Sequence, residues 1–269
     1  MGDYLARDAS PLSDEQWQQL DELVVSTAKK LLVGRRVLPL YGPLGAGPAG
    51  IPTPQLATEP GVVRVARTAL VELHENVEDF VVDWKEIERA KRLDVQMDWA
   101  AAVLAAARCA DHEDALIFGG CDDCGHTGLL KAEGALQLTG GDWSEADAMY
   151  QDVVSATSRL MAEGHPGPFA LVLSPSARAL IHRFVDHGMM LHRMIEEQVS
   201  AGVFTSRHVP DETMLVMCVG SQVADLGVGV DLTVAYLGNE GMTHLFRVFE
   251  TIVPRVKQPN GLCIVNAAK

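Results

Sequence analysis

A chain of 269 residues, 48% of them hydrophobic, is long enough to bury a core as one large domain or two lobes. Its 22 Lys and Arg against 36 Asp and Glu leave a formal net charge of −14, and so acidic a surface repels phosphate backbones and disfavours non-specific nucleic-acid binding. The longest apolar-rich stretch, Trp99 to Ala107, is about half of the ~20 residues that a bilayer crossing needs.

The acidic opening segment carries no apolar signal core. The five cysteines, an odd count in a chain too long to need stapling, suit free thiols in a reducing cytoplasm. Residues 13 to 34 are predicted to form an amphipathic helix. Ser13 and Gln16 fit a capping box, Trp17, Leu20, Val24, Ala28 and Leu31 fall on one face, and Gly34 is the stop. Pro39 to Pro60 holds too many Gly and Pro residues for a helix or a central strand. Val62 to Leu73 then reads as an extended strand. Together they predict a long arm or hairpin that reaches for a neighbouring subunit.

Helix returns from about Lys85 to Phe118, as one helix or two, followed by a turn-rich break from Gly119 to Leu130. A third helix runs to about Glu163 from a cap at Asp142 or Ser144. Phe169 to Leu173 is a short strand, and Ser174-Pro175-Ser176 opens another helix to roughly Ser200. The remainder is strand-like: Val203 to His208, Met214 to Val219, Leu226 to Tyr236, Thr243 to Val253, and Leu262 to Asn266. Helices and strands come in blocks without βαβ alternation, so the fold class is α+β.

Chemistry-bearing motifs are few. Cys121 and Cys124, with His126 nearby, could hold two corners of a zinc tetrahedron, but no second pair of ligands follows at suitable spacing. Of a metal site, a redox pair and free thiols in a tight turn, the expectation is free thiols and no metal. His182, His187 and His192 recur at intervals of five, which does not align them on a helix face, though a loop could gather them. There is no nucleophile elbow, P-loop or dinucleotide turn, and no catalytic residue is assigned.

Several segments, in order, resemble the type 1 encapsulin shell proteins. The first is Ser10-Pro11-Leu12 followed by Trp17 and the helix ending Gly34-Arg35-Arg36-Val37, and the second is Gly42-Pro43-Leu44-Gly45. Ile117-Phe118 through Gly120, with Gly128-Leu129-Leu130, follows, and then Gly167-Pro168-Phe169 with Leu173-Ser174. The last is Leu226, Gly229, Asp231, Thr233, Tyr236, Leu245 and Glu250-Thr251. No motif alone is specific; five in register over nearly the whole chain are.

The resemblance implies the Hong Kong 97-type phage capsid fold. Its parts would be an N-terminal helix region (1–38), an extended arm (39–80), a peripheral domain (81–130 and 221–269) and an axial domain (131–220). It implies a closed icosahedral shell of about 60 copies or a small multiple. The shell would enclose a ferritin-like iron-storage protein or a dye-decolorising peroxidase, recognised through the cargo's C-terminal targeting peptide. Carried over by position, the peptide groove would involve Ala28, Leu32 and Val33, with Val230, Asp231 and Leu232 opposite. The loop of Asp186, His187, Gly188, Met189 and Met190 would border a fivefold pore. The family's Tyr-Pro after the pore-loop glycine is Met189-Met190 here. Where a flavin-holding member has Tyr and Trp, this chain has Met189 and Lys85, so no flavin is expected. A phage or prophage head protein and a hydrolase or bacteriocin-like protein are the alternative functions.

Overall fold

The computed structural model describes residues 3–59, 62–145, 147–182 and 190–268. The first long helix, α1 (Asp14–Leu31), starts where the sequence predicts. Ser13 Oγ accepts from Gln16 N, and Gln16 Oε1 accepts from Ser13 N at 2.9 Å. Its buried stripe of Trp17, Leu20 and Val24 packs on Ala102, Ala105 and Ala106 of α4 (Ala100–Gly119), small side chains that let the two helices approach closely. Leu31, expected on that stripe, is 48% exposed; the helix ends there and Leu32 turns inward instead. Gly34 opens a second short helix, α2 (Gly34–Val37), rather than merely stopping the first. It packs so tightly against Ile117 of α4 that a Cβ would collide.

The arm is a hairpin. After β1 (Leu40–Tyr41), strand β2 (Gly50–Glu59) pairs antiparallel with β3 (Val62–Glu72), so the Gly- and Pro-rich stretch is in part a strand. Pro52 and Pro54 are tolerated because this sheet has only two strands and one side of each needs no ladder partner. Val62, Val65 and Leu70 on β3 are each more than half exposed, an apolar surface that this chain alone leaves uncovered. Strand β4 (His74–Asp83) was not expected, and most of it was expected within the arm. It is bound along ten register positions to β13 (Thr243–Val256).

Two five-stranded sheets organise the rest. The first runs β1, β11 (Ala224–Val228), β13, β12 (Thr233–Glu240), with β4 also on β13. One expected strand from Leu226 to Tyr236 is thus two, broken at Gly229 to Leu232. Helices α1 and α4 cover this sheet through Phe80, Phe246 and Val248, beside α3 (Trp84–Leu93). The second sheet runs β7 (Leu136–Thr139), β14 (Leu262–Asn266), β10 (Thr213–Cys218), β8 (Phe169–Leu173), β9 (Gly202–Thr205). Residues 262–266, expected with the peripheral part, therefore lie in the other sheet. Its fully buried strands pack against α5 (Ala148–Ala162), α6 (Pro175–Leu180) and α7 (Leu191–Gln198). The single helix expected from Ser174 to Ser200 thus appears as α6 and α7. No described helix is long and apolar enough to cross a membrane.

The turn-rich break after α4 forms a small hairpin of β5 (Gly120–Cys121) and β6 (His126–Thr127). It seats the His126 ring edge-on to His74, centroids 5.8 Å apart, where the arm joins β4. Burial lowers both imidazoles below their ordinary 6.5; His112 opposes protonation of His74, His74 that of His126, while Glu75 and Glu72 partly offset this. The unfolded chain then takes up these protons more readily than the folded one. Stability from the pair is complete above pH 6.5 and is lost as pH falls through the lowered folded values. Replacing His126→Phe should flatten the acid limb of a melting temperature against pH profile below 6.5; an unchanged slope would place the acid sensitivity elsewhere.

Candidate peptide-docking groove and the ion network beneath it

A groove of about 320 Å³ opens between the end of α1, α2 and the connection from β11 to β12. Ala28 and Leu32, 2% and 5% exposed, form its floor and pack on Ala110 of α4, with Leu232 above them. Val25 and Leu40 extend the apolar lining, while Lys29, Arg36 and Asp231 supply charge at its edge. Arg36 Nη2 donates to the carbonyl oxygens of Lys30 (3.2 Å) and Lys29 (3.5 Å), closing orphan acceptors at the C-terminus of α1.

Beneath the groove lies Arg35. Its Nε donates to both carboxylate oxygens of Glu113 (2.8 and 3.0 Å), Nη1 to Asp231 (2.7 Å) and Nη2 to Glu250 (2.6 Å). Glu113 and Glu250 are essentially inaccessible to water. The other oxygen of Glu250 accepts from Asn76 Nδ2 at 2.7 Å, and Asn76 also donates to the Cys109 carbonyl at 2.8 Å. One guanidinium thus joins α2, α4, the β11–β12 connection and β13, and reaches β4 through Asn76. Burial alone would lower the Arg35 pKa, but the hydrogen bond and charge of Glu113 and the charge of Glu250 raise it above its ordinary value. Glu250 is pushed up by burial and by the neighbouring Glu113 carboxylate. Asp114, next in sequence, accepts from the backbone N–H groups of Val33 (3.0 Å) and Gly34 (2.8 Å). Burial nonetheless raises it to about 6.

Of the six positions expected in the groove, the structure brings four together: Ala28, Leu32, Asp231 and Leu232. Val33 belongs to the main core, with its backbone held by Asp114. Val230 is 8% exposed in a small cluster with Leu5, Ala235 and Phe249. Both are displaced from the groove because the chain turns at each of them, so neighbours in sequence face opposite ways. Val25, Lys29, Arg35, Arg36 and Leu40 were missed. The signal for two of them was the Arg35-Arg36 pair inside a motif that the sequence already marks.

Asp186, His187, Gly188 and Met189 lie outside the described residues; Met190 is half-buried and immediately precedes α7. His182 and His192 do approach one another, ring centroids 5.2 Å apart. Cys121 and Cys124 are joined as a disulfide, which corrects the expectation of free thiols there, whereas Cys109, Cys218 and Cys263 are free and buried. Among the described residues no group of three His, Cys, Asp or Glu side chains is arranged to hold a metal ion.

A family model described as an encapsulating protein for peroxidase matches residues 2–253. The chain belongs to the encapsulin shell proteins. It is 37% identical to the type 1 encapsulin shell protein of Myxococcus xanthus (strain DK1622), an alignment covering all of this chain and 98% of that one. It is 32% identical to a diheme-cytochrome-encapsulin shell fusion protein of Kuenenia stuttgartiensis, over 94% of this chain and 73% of the other. Among solved structures, a virus-like particle from Pyrococcus furiosus superposes with a TM-score of 0.81 at 20% identity, covering 94% of this chain and 100% of that one. The capsid of Myoviridae phage XM1 gives 0.59 at 11% identity, with 85% and 89% covered. This encapsulin shell protein therefore has the Hong Kong 97-type capsid fold, and, like its relatives, it is a structural protein and not an enzyme.

The ion network makes a direct prediction. Arg35→Met leaves two buried carboxylates without their cation, which should cost about 3–5 kcal/mol of stability at neutral pH. Part of that loss should be recovered as pH falls and Glu250, already pushed up by burial, protonates, read as a melting temperature that drops less at pH 5 than at pH 7.5.

Proposed function

We propose that this shell protein assembles in the cytoplasm into an icosahedral container of about 60 copies or a small multiple. The container encloses a cargo enzyme whose C-terminal targeting peptide docks in the groove between α1 and the β11–β12 connection. The observation that carries this reading is the groove itself: an apolar floor of Ala28 and Leu32 under an open slot edged by charged side chains. An extended peptide would bury alternate apolar side chains in such a slot and leave its polar ones at the rim. The arm adds support for assembly, since its exposed Val62, Val65 and Leu70 need a covering surface that a single chain does not supply. The net charge of −14 argues for protein cargo over a packaged nucleic acid.

The names of the relatives support a class of cargo. The family description names a peroxidase, and in a Pyrococcus furiosus relative, 25% identical over 51% of this chain and 40% of that one, a ferritin-like part is fused to the shell. A ferritin-like iron-storage protein or a dye-decolorising peroxidase is the cargo we infer. In the assembled shell the first sheet with α3 and α4 would form the peripheral part. The second sheet would form the axial part, with residues 186–190 bordering the pore and filtering what reaches the cargo.

The test is co-expression with a fluorescent protein that carries the C-terminal peptide of a candidate cargo. Wild-type protein should elute as uniform hollow particles in negative-stain micrographs, with the reporter inside. Val25→Asp and Leu232→Asp, both on half-buried groove positions rather than on the floor, should keep the particles and lose at least 90% of the reporter (about 1.4 kcal/mol or more of binding). Full reporter retention in both variants would remove the groove assignment. A purified protein that never forms particles would remove the container itself.

A further inference from the structure

The feature that the container leaves unused is the turn Cys121-Asp122-Asp123-Cys124 between β5 and β6. We propose that Cys121 and Cys124 are a thiol–disulfide exchange site for low-molecular-weight thiols, whose oxidised form clamps the β5–β6 hairpin against the root of the arm.

The two sulfurs are joined, and they differ in exposure: Cys124 is exposed, while Cys121 is half-buried against the main core. Cys109, Cys218 and Cys263 are at most 1% exposed, so the turn pair is the part of the chain's sulfur chemistry that a dissolved thiol can reach. A bond between residues three positions apart closes so short a loop that it removes little entropy from the unfolded chain. Its consequence is therefore local, not a staple for the whole fold.

The turn also sets the order of exchange. Cys124 N–H donates to Cys121 Sγ at 3.2 Å, a bond that strengthens when that sulfur carries negative charge. An incoming thiolate attacks the exposed Cys124 sulfur, the protein S–S bond breaks, and its electron pair leaves on Cys121. A second thiolate attacks the resulting mixed disulfide at the small-molecule sulfur and releases the small disulfide and the Cys124 thiolate. Two protons, given up by the two attacking thiols, return to the two cysteines. In sum, two small thiols are oxidised to one disulfide and the protein disulfide is reduced to two thiols; a small disulfide drives the reverse. Lys131 Nζ lies 3.1 Å from Asp122 and offsets one of the two carboxylates that would repel the incoming thiolate.

The hairpin is built into the base of the arm. Cys121 sits directly across the ladder from His126, whose ring packs on His74 at the start of β4. Gly125 to Thr127 form one wall of a cavity of about 430 Å³. Thr53 and Val71 of the arm and Arg255 of β13 form the facing walls. Reduction releases the turn that holds His126 in place, and so loosens that wall.

The experiment uses the assembled protein equilibrated with glutathione disulfide or with dithiothreitol, then alkylated without denaturation and analysed by mass spectrometry. In the oxidised sample the peptide holding Cys121 and Cys124 should be unlabelled and lighter by two hydrogens. After reduction Cys124 should label first, while Cys109, Cys218 and Cys263 stay unlabelled in both. Hydrogen exchange should run several-fold faster on reduction at amides 120–127 and at those of the arm root, Ile51, Thr53 and 69–72. A double variant, Cys121→Ser with Cys124→Ser, should show the fast rates with or without reductant. Free, fully labelled Cys121 and Cys124 after oxidant treatment would overturn the exchange site. A disulfide that forms and reduces with no change at the arm root would overturn the clamp.

Discussion

The Arg35 guanidinium, held among Glu113, Glu250 and Asp231, is the interaction on which the arrangement of the rest depends. Taking one cation and two carboxylates out of water is costly, and the cost is offset only while every partner stays in place. A buried ion cluster of this kind contributes little net stability and a good deal of positional definition. Because its partners come from α2, α4, the β11–β12 connection and β13, it fixes the end of α1 relative to the first sheet. The width of the groove above it is a consequence of that geometry. Several residues of the sequence motifs converge here for the same reason. Gly34 lacks a side chain because Ile117 fills the space, and Thr251 Oγ1 accepts from Val230 N at 2.7 Å beside Glu250.

The arm follows a different logic. Its two strands satisfy each other's backbone, and Ile51 near its base is buried against the first sheet, but Val62, Val65 and Leu70 stay more than half exposed. Such a hairpin is marginal alone and becomes useful when other copies cover it, as a shell of repeated subunits can. The root of the arm is the opposite: β4 is locked to β13 along its length, and the β5–β6 hairpin, with its His126–His74 contact and its disulfide, is packed beside it. A firm root and an uncovered tip suit an element that must be aimed before its neighbour arrives. The two sheets divide the work: the first carries the arm and borders the groove, and the second packs against α5, α6 and α7.

Much of this was legible in the residues. The α1 start was fixed by Ser13 and Gln16, because a capping box is local chemistry that needs no tertiary partner. Strand β8 was found at its observed limits because a fully apolar run between breakers has few alternatives. Where reading failed, the cause lay in partners distant in sequence. β4 alternates charged and apolar residues too irregularly to mark itself, and it becomes a strand because β13 supplies a ladder. β2 contains prolines that forbid a central strand, and it is a strand because its sheet ends after two. Within the groove, Ala28 and Leu32 followed from helical spacing and resemblance together. Val33 and Val230 were misplaced because a one-residue turn of the backbone reverses the side chain, and no periodicity reports that.

By itself the sequence determined the fold class, the acidic surface, the arm and the membership in a shell family, since composition, caps and motifs in register are properties of short stretches. Tertiary structure alone decided that Arg35 lies under the groove, that β14 joins the second sheet, and that the Cys121–Cys124 turn sits at the arm's root. Each of these depends on contacts between residues tens to hundreds of positions apart. Such contacts are selected by how well separate pieces pack and pair, which no local pattern encodes.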